Sequence, residues 1–320
     1  NSSVENTVGR FQSAGWNVIK VEDGNSVEDI DKAITIAKQS QEKPTMIMVH
    51  TVIGYGSAKQ GTHKVHGSPL GIEDGEHAKK VYGYNYGPFE VPEEVYYTFR
   101  ESFVKRGQEA YANFAKVWKD YKDENYDEAL KIESTVDNDV STLVYKDIPS
   151  YSEEFADSTR NCSGACLNIL NKQVFNLIGG SADVAGSVMT HIKDETDFTA
   201  TNRSGRNVNW GIREFAMAAM QNGMLLHGGL RTYVGCFLVF ADYLKPAVRM
   251  AALSGLPAIY LLSHDSIAVG EDGPTHQPIE QLAMLRSIPN VNVIRPCDAR
   301  ETAAAWKVAL ESTRTPTCLI

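Results

Sequence analysis

Fifteen consecutive residues, His264-Asp265-Ser266-Ile267-Ala268-Val269-Gly270-Glu271-Asp272-Gly273-Pro274-Thr275-His276-Gln277-Pro278, carry two histidines, three carboxylates and two glycines. Ionisable side chains on a loop stiffened by Gly and Pro are a common way to build a site, and a solvated turn shares that composition. Both readings stay open for the loop alone. A second constellation, Trp210-Gly211-Ile212-Arg213-Glu214-Phe215-Ala216-Met217, sets one carboxylate where a helix begins among apolar residues. The plain reading is a glutamate that complements the helix dipole. The sharper one is a partly desolvated glutamate that shares a proton with a heterocycle nitrogen. Phe237, Phe240 and Tyr243 recur at three-residue steps, so one turn carries them to one side. They form either aromatic core or a flat apolar slot for a planar heteroaromatic ring, with Glu214 as its polar handle.

A third stretch, Gly54 to Gly71, holds five glycines with His63 and His66. Permissive backbone beside imidazole suits a phosphate, and equally describes a flexible surface loop. No GxGxxG or Walker pattern occurs in the chain, so neither nicotinamide nor ATP binding is supported. The five cysteines show no metal spacing and suit a reducing, cytoplasmic setting. Cys162 and Cys166, one helical turn apart, fit thiols on a packed helix face better than a metal half-site.

The elements that must position these groups follow from periodicity. Ala258 to Leu262 is an apolar run typical of a strand buried on both faces, and Pro278 opens a helix carrying Ile279, Leu282, Ala283 and Leu285. The first loop therefore sits at a strand's carboxyl end, where open α/β sheets place their ligands. Strand Asn17–Val21, a helix capped by Ser26 with Val27, Ile30, Ala33, Ile34 and Ala37 on one face, and strand Thr45–Thr51 make a βαβ unit. A long helix starts with Pro92 at its first position and Val95, Phe99 and Phe103 on one face. Beyond Gly107, Tyr111, Phe114, Ala115, Trp118 and Tyr121 have the spacing of a buried helical face. Residues 122–150 turn acidic and lose periodicity, with a short helix over Tyr126 to Ile132, and read as an interdomain linker.

From Ser152 a second α/β pattern runs: helix Ser158–Leu170, strand Val174–Ile178, and a turn Gly179-Gly180-Ser181-Ala182-Asp183. Helix Glu214–Leu226, strand Thr232–Cys236 and helix Phe240–Leu253 follow. Strand Val291–Ile294, helix Arg300–Glu311 and a run Thr317–Ile320 complete a doubly wound arrangement.

At 320 residues and 42% hydrophobic, the chain is long enough for two domains. The net charge of -9, without clustered Lys and Arg, argues against a nucleic-acid partner. No apolar run approaches the roughly twenty residues of a membrane helix, and the first residues lack the regions of a signal peptide.

Several motifs in one order resemble transketolase, the thiamine diphosphate enzyme: Ile53-Gly54-Tyr55-Gly56-Ser57, His66-Gly67-Ser68-Pro69-Leu70, Gly179-Gly180-Ser181-Ala182-Asp183, Gly211-Ile212-Arg213-Glu214-Phe215 and the whole loop 264–278. The resemblance covers nearly all of the chain. It implies two doubly wound α/β domains of the thiamine-diphosphate-binding type with parallel sheets, the first incomplete. Residues 1–121 would be the carboxyl-terminal part of the diphosphate-binding domain, 122–150 the linker, and 151–320 the pyrimidine-binding domain.

The implied reaction is ketol transfer: thiamine diphosphate carries a two-carbon unit from a ketose phosphate of the xylulose 5-phosphate type to an aldose phosphate such as ribose 5-phosphate or erythrose 4-phosphate, as in the pentose phosphate pathway. By resemblance, Glu214 bonds the aminopyrimidine N1′ and favours the imino tautomer. Phe237, Phe240 and Tyr243 line the pyrimidine pocket, Asp183 touches the cofactor from a partner subunit, and His66 serves the diphosphate and the reacting carbon. Arg160, Ser187 and His264 hold the sugar phosphate, Asp272 reads hydroxyl stereochemistry, and His276 moves a proton at the covalent intermediate. Catalytic roles thus fall on Glu214, His276 and His66. A cytoplasmic homodimer with sites at the subunit interface is implied.

The resemblance also has gaps. The Gly-Asp-Gly and downstream Asn that bind the divalent metal, Mg2+ or Ca2+, have no counterpart here, so the chain supplies no metal ligand. They and the family's early histidines would precede Asn1, while a third domain and a further phosphate-binding Arg would follow Ile320. The chain thus reads as an internal fragment, inactive by itself. Gly186 stands where many relatives have Pro. Two rivals remain, a ketol transferase such as dihydroxyacetone synthase and a non-catalytic relative. A metal hydrolase on His264, Asp272 and His276 lacks a ligand set.

Overall fold

Among the described residues two parallel sheets organise the chain, one of two strands and one of five. The computed structural model describes residues 3–137, 139–141, 145 and 147–320. The chain divides into two compact units, 1–112 and 113–320.

Unit 1 opens with α1 (Thr7–Ser13), β1 (Asn17–Val21), α2 (Val27–Gln39) and β2 (Thr45–Val49). β1 and β2 pair in parallel, Asn17 opposite Thr45 and Val21 opposite Val49, which is the expected βαβ unit. The Ser26 side chain caps α2 by accepting from the Asp29 N–H at 3.2 Å, with Glu28 and Asp29 complementing the dipole. Only Ala33 of α2 is buried, so the apolar face expected there is mostly open. α3 (Ile72–Tyr82) and α4 (Glu93–Phe99) follow; a π-helical segment, Arg100–Lys105, then leads into α5 (Arg106–Glu124).

Pro92 is the cap of α4 rather than its first residue. The two apolar stripes differ more sharply from expectation. Val95, Phe99 and Phe103 are exposed, and so are Tyr111, Phe114 and Tyr121, with no buried residue in α4 or α5. Helical spacing identifies a face and says nothing of what covers it.

In unit 2, α6 (Tyr126–Val136) runs four residues past the short helix expected, and Lys122 bonds both carboxylate oxygens of Glu133 at 2.8 Å. Part of the expected linker, residues 138, 142–144 and 146, lies outside the described residues. Then come α7 (Thr159–Leu170), β3 (Leu177–Ser181), α8 (Ala185–Val188), α9 (Glu214–His227), β4 (Arg231–Phe237), α10 (Ala241–Leu253) and β5 (Ile259–Ser263). The chain closes with α11 (Gln281–Arg286), β6 (Asn292–Ile294), α12 (Ala299–Glu311) and β7 (Thr317–Leu319).

The five strands are all parallel in the order β3-β4-β5-β7-β6. Alternate side chains of one strand face opposite layers. Val234, Cys236, Tyr260 and Leu262 pack under α9 and α10 with Met217, Leu244 and Val248. Tyr233, Ile259 and Leu261 pack under α7 and α12 with Leu167, Leu170 and Trp306. Cys162 and Cys166 are buried in α7, as their spacing suggested.

Two local expectations are corrected. The strand expected over Val174–Ile178 runs instead from Leu177 to Ser181, so Gly179 and Gly180 belong to it and not to a turn. They are glycines because neighbouring backbone lies against them: an added Cβ would sit 2.1 Å from the Tyr233 carbonyl oxygen at Gly179 and 2.0 Å from that of Val208 at Gly180. The helix expected to open at Pro278 begins at Gln281. The Gln281 side chain accepts from the Ile279 N–H at 3.0 Å and donates to Asp242 at 3.1 Å, holding the preceding residues in a bend and leaving Ile279 exposed.

Candidate functional site

β4 and β5 end side by side, with Phe237 in register with Ser263. The next residue, His264, turns into the left-handed region at φ 56°, and its ring stacks on Phe237 with centroids 3.8 Å apart and planes 23° off parallel. Beyond Phe237 a single 3-10 turn, Leu238–Phe240, leads into α10. Phe237–Phe240 and Phe240–Tyr243 are near-parallel pairs at 6.1 Å, tilted by 17° and 29°. The turn after β3 places Asp183, also left-handed at φ 64°. Glu214 is the first residue of α9, half-buried. His276 closes the 3-10 turn Pro274–His276, its ring edge-on to Phe240 at 5.2 Å and its Nδ1 2.8 Å from the Thr275 hydroxyl.

These elements enclose a cavity of about 460 Å³ lined by Asp183, Glu214, Phe237, Phe240, Tyr243 and His276, with Ala182, Val184, Ile212 and Cys236 as its remaining wall. Asp183, Glu214, His276 and the Tyr243 hydroxyl are the polar groups of an otherwise apolar slot that also holds the Cys236 thiol. Burial first, and the Glu214 carboxylate second, push the Cys236 thiol well above its ordinary range, so it remains a neutral, packed group.

A second cavity of about 220 Å³ has Arg160, Ser263, His264 and Asp265 on its wall. An Arg160 N–H lies 3.1 Å from His264 Nε2, and Ser263 Oγ lies 2.9 Å from Nδ1. Burial first and the Arg160 charge second hold His264 below the usual imidazole range, against the opposing pull of Asp272 and Asp265. Ser187 and Asp272 are exposed and line neither cavity, although Val188, beside Ser187, lines the smaller one.

His66 belongs to unit 1, exposed at the end of the 3-10 turn His63–Val65. Its loop is held by a residue the sequence reading missed. Asp74, buried in the first turn of α3, accepts from Ser57 Oγ at 2.6 Å and from the Ala58 N–H at 2.8 Å. Those two bonds, the Ser57 hydroxyl first, hold its carboxyl below the usual range. Gly56, at φ 86°, has no room for a side chain, since a Cβ would meet the Tyr82 ring at 2.4 Å. Ser263 and the Asp265–Arg295 pair at 2.6 Å were also missed, because nothing in linear spacing joins residues thirty apart. Among the described residues no cluster of three or more His, Cys, Asp or Glu is placed to hold a metal, and no helix is long and apolar enough to cross a membrane.

Two family descriptions match: transketolase, thiamine diphosphate binding domain, over residues 1–141, and transketolase, pyrimidine binding domain, over 156–320. Similar proteins include the transketolase of Bacillus subtilis, 49% identical over 322 residues, and a probable transketolase of Streptococcus pneumoniae, 48% identical. The alignments cover 99% and 100% of this chain but 48% and 49% of those proteins, so the chain spans about half the length of these curated relatives. Among solved structures, transketolase from Leishmania mexicana matches with a TM-score of 0.93 at 39% identity. That of Pichia stipitis in complex with sedoheptulose 7-phosphate matches with 0.93 at 38%. Each of these matches covers 99% of this chain and 48% of the other.

Proposed function

The chain belongs to the transketolase family, and from that premise we propose that its larger cavity takes the aminopyrimidine of thiamine diphosphate in an enzyme of ketol transfer between sugar phosphates. The observation that carries this reading is the 460 Å³ slot, whose wall Glu214 shares with three aromatic side chains and an uncharged thiol. A flat heteroaromatic ring needs apolar faces and one group that shares a proton with a ring nitrogen, and the slot offers both. When bound, the cofactor supplies a nucleophilic carbon that carries the two-carbon unit.

The chain's own residues do the rest. Phe237, Phe240 and Tyr243 pack the ring, Glu214 holds a proton at its N1′, and Asp183 adds a polar contact. His276 faces the same cavity and exchanges a proton with the sugar, a task suited to imidazole near neutral pH. Arg160 and His264 hold the sugar's phosphate, Arg160 by forked bonds. Ser187 joins them in holding the sugar phosphate, Asp272 reads hydroxyl stereochemistry, and His66 serves the diphosphate and the reacting carbon. In this reading the whole protein is a cytoplasmic homodimer in the pentose phosphate pathway, and its Mg2+ or Ca2+ is held by ligands outside this chain.

The test is Glu214→Ala in the intact enzyme. Loss of a positioned proton donor and acceptor lowers kcat by about 10²-fold or more, while the thermal midpoint stays near wild type. Turnover near normal overturns the role of Glu214.

A further inference from the structure

The contacts around His264 define which of its nitrogens carries hydrogen. A guanidinium only donates, so the 3.1 Å contact from Arg160 requires a lone pair on Nε2. The proton of the neutral ring is then on Nδ1, and the 2.9 Å contact there is a hydrogen bond donated to Ser263 Oγ. Phe237 covers one face of the ring at 3.8 Å. Ser263 is the last residue of β5 and half-buried, so its backbone is fixed by pairing with β4. The ionisable groups that act on the ring are Arg160 from α7, and Asp265, Asp272 and His276 from the loop, with Asp265 itself paired to Arg295.

We infer that Ser263 is a positioning residue for phosphate recognition: by accepting from Nδ1–H of His264 it keeps Nε2 turned to Arg160 and the smaller cavity. This deepens the reading of that cavity as the phosphate end of the sugar site and rests on it. Nε2 has two uses, both requiring Nδ1–H to be occupied elsewhere. Without an anion it accepts from Arg160. With a phosphate drawing the guanidinium away, Nε2 takes a proton from solvent and donates it in a hydrogen bond to a phosphate oxygen. Removing the Ser263 hydroxyl leaves a half-buried N–H without a partner, and the ring is then free to change tautomer or flip.

The test compares Ser263→Ala with Ser263→Thr, which retains the hydroxyl. Long-range 1H–15N spectra of the intact enzyme with 15N-labelled histidine, His264 being identified by its loss in His264→Gln, report the tautomer. Wild type and Ser263→Thr should show the Nδ1–H form, and Ser263→Ala a mixture. In the intact enzyme Ser263→Ala should raise KM for a phosphorylated acceptor and the inhibition constant of inorganic phosphate about fivefold, the worth of one ordinary hydrogen bond. KM for a non-phosphorylated aldose, and kcat, should hold steady. An Nε2–H form in wild type, or an unchanged tautomer in Ser263→Ala, overturns the inference. A shifted tautomer with unchanged phosphate constants instead overturns the assignment of phosphate to this cavity.

Discussion

Unit 1 and unit 2 are built from the same βαβ grammar and differ in what covers their sheets. Five parallel strands in unit 2 carry helices on both faces, and the inward side chains of α7, α9, α10 and α12 are buried. Two strands in unit 1 leave α2 with one buried side chain and α4 with none. In unit 1 the buried Asp74 carboxylate ties Ser57 and Ala58 to the start of α3 beside a few buried apolar side chains, whereas the helices of unit 2 pack on two hydrophobic clusters. The lesson concerns sites. Packed strands hold Phe237 and Ser263 by their backbone register, with His264 the next residue, while the loop of His66 is held by hydrogen bonds.

The largest effect expected from that contrast is in the unit 2 core. Trp306 is fully buried and donates to Ser163 Oγ at 2.9 Å, so Trp306→Ala should lower unfolding free energy by about 3–5 kcal/mol in urea denaturation. Val27→Ala on α2, 79% exposed, should fall within about 0.5 kcal/mol. Equal losses would erase the distinction between the units.

A smaller effect is expected at Asp74. Asp74→Ala leaves the Ser57 hydroxyl and the Ala58 N–H without their acceptor, and limited proteolysis should then cut between Gly54 and Gly61 more readily than in wild type. Because the carboxyl is held below its usual range, its stabilising contribution is present above the ordinary carboxylate range and is lost as pH falls through the folded value. Wild type should thus approach the variant's cleavage rate in acid. An unchanged pattern would show that this loop is held by other contacts.

The smallest effect is electrostatic and lies in unit 2. Arg160→Met removes the second cause of the low His264 titration, so NMR should show its midpoint rising toward the ordinary imidazole range but not reaching it, because burial remains. A midpoint that stays put would give burial the whole effect.

Much of this was legible in sequence because strands and helices print their periods locally. β1 has the expected boundaries, α9 ends one residue beyond the expectation, and the loop 264–278 does follow a buried strand. Glu214, the aromatic triplet and the two loop histidines were marked by residue type and short spacing, and motifs in one order tied them to a family. Covering and partnership were not legible. Nothing local shows that Gly179 stands against the backbone of β4 and Gly180 against that of Val208, that the stripes of α4 and α5 are exposed, or that Asp74 reaches back to Ser57. Tertiary structure alone divided the candidates into a slot around Glu214 and a smaller cavity around Arg160 and His264, because both form where strand ends distant in sequence become neighbours. Sequence thus determined which groups were available for chemistry, through side-chain type and helical or strand period, and the register of β4 against β5 decided which of them meet.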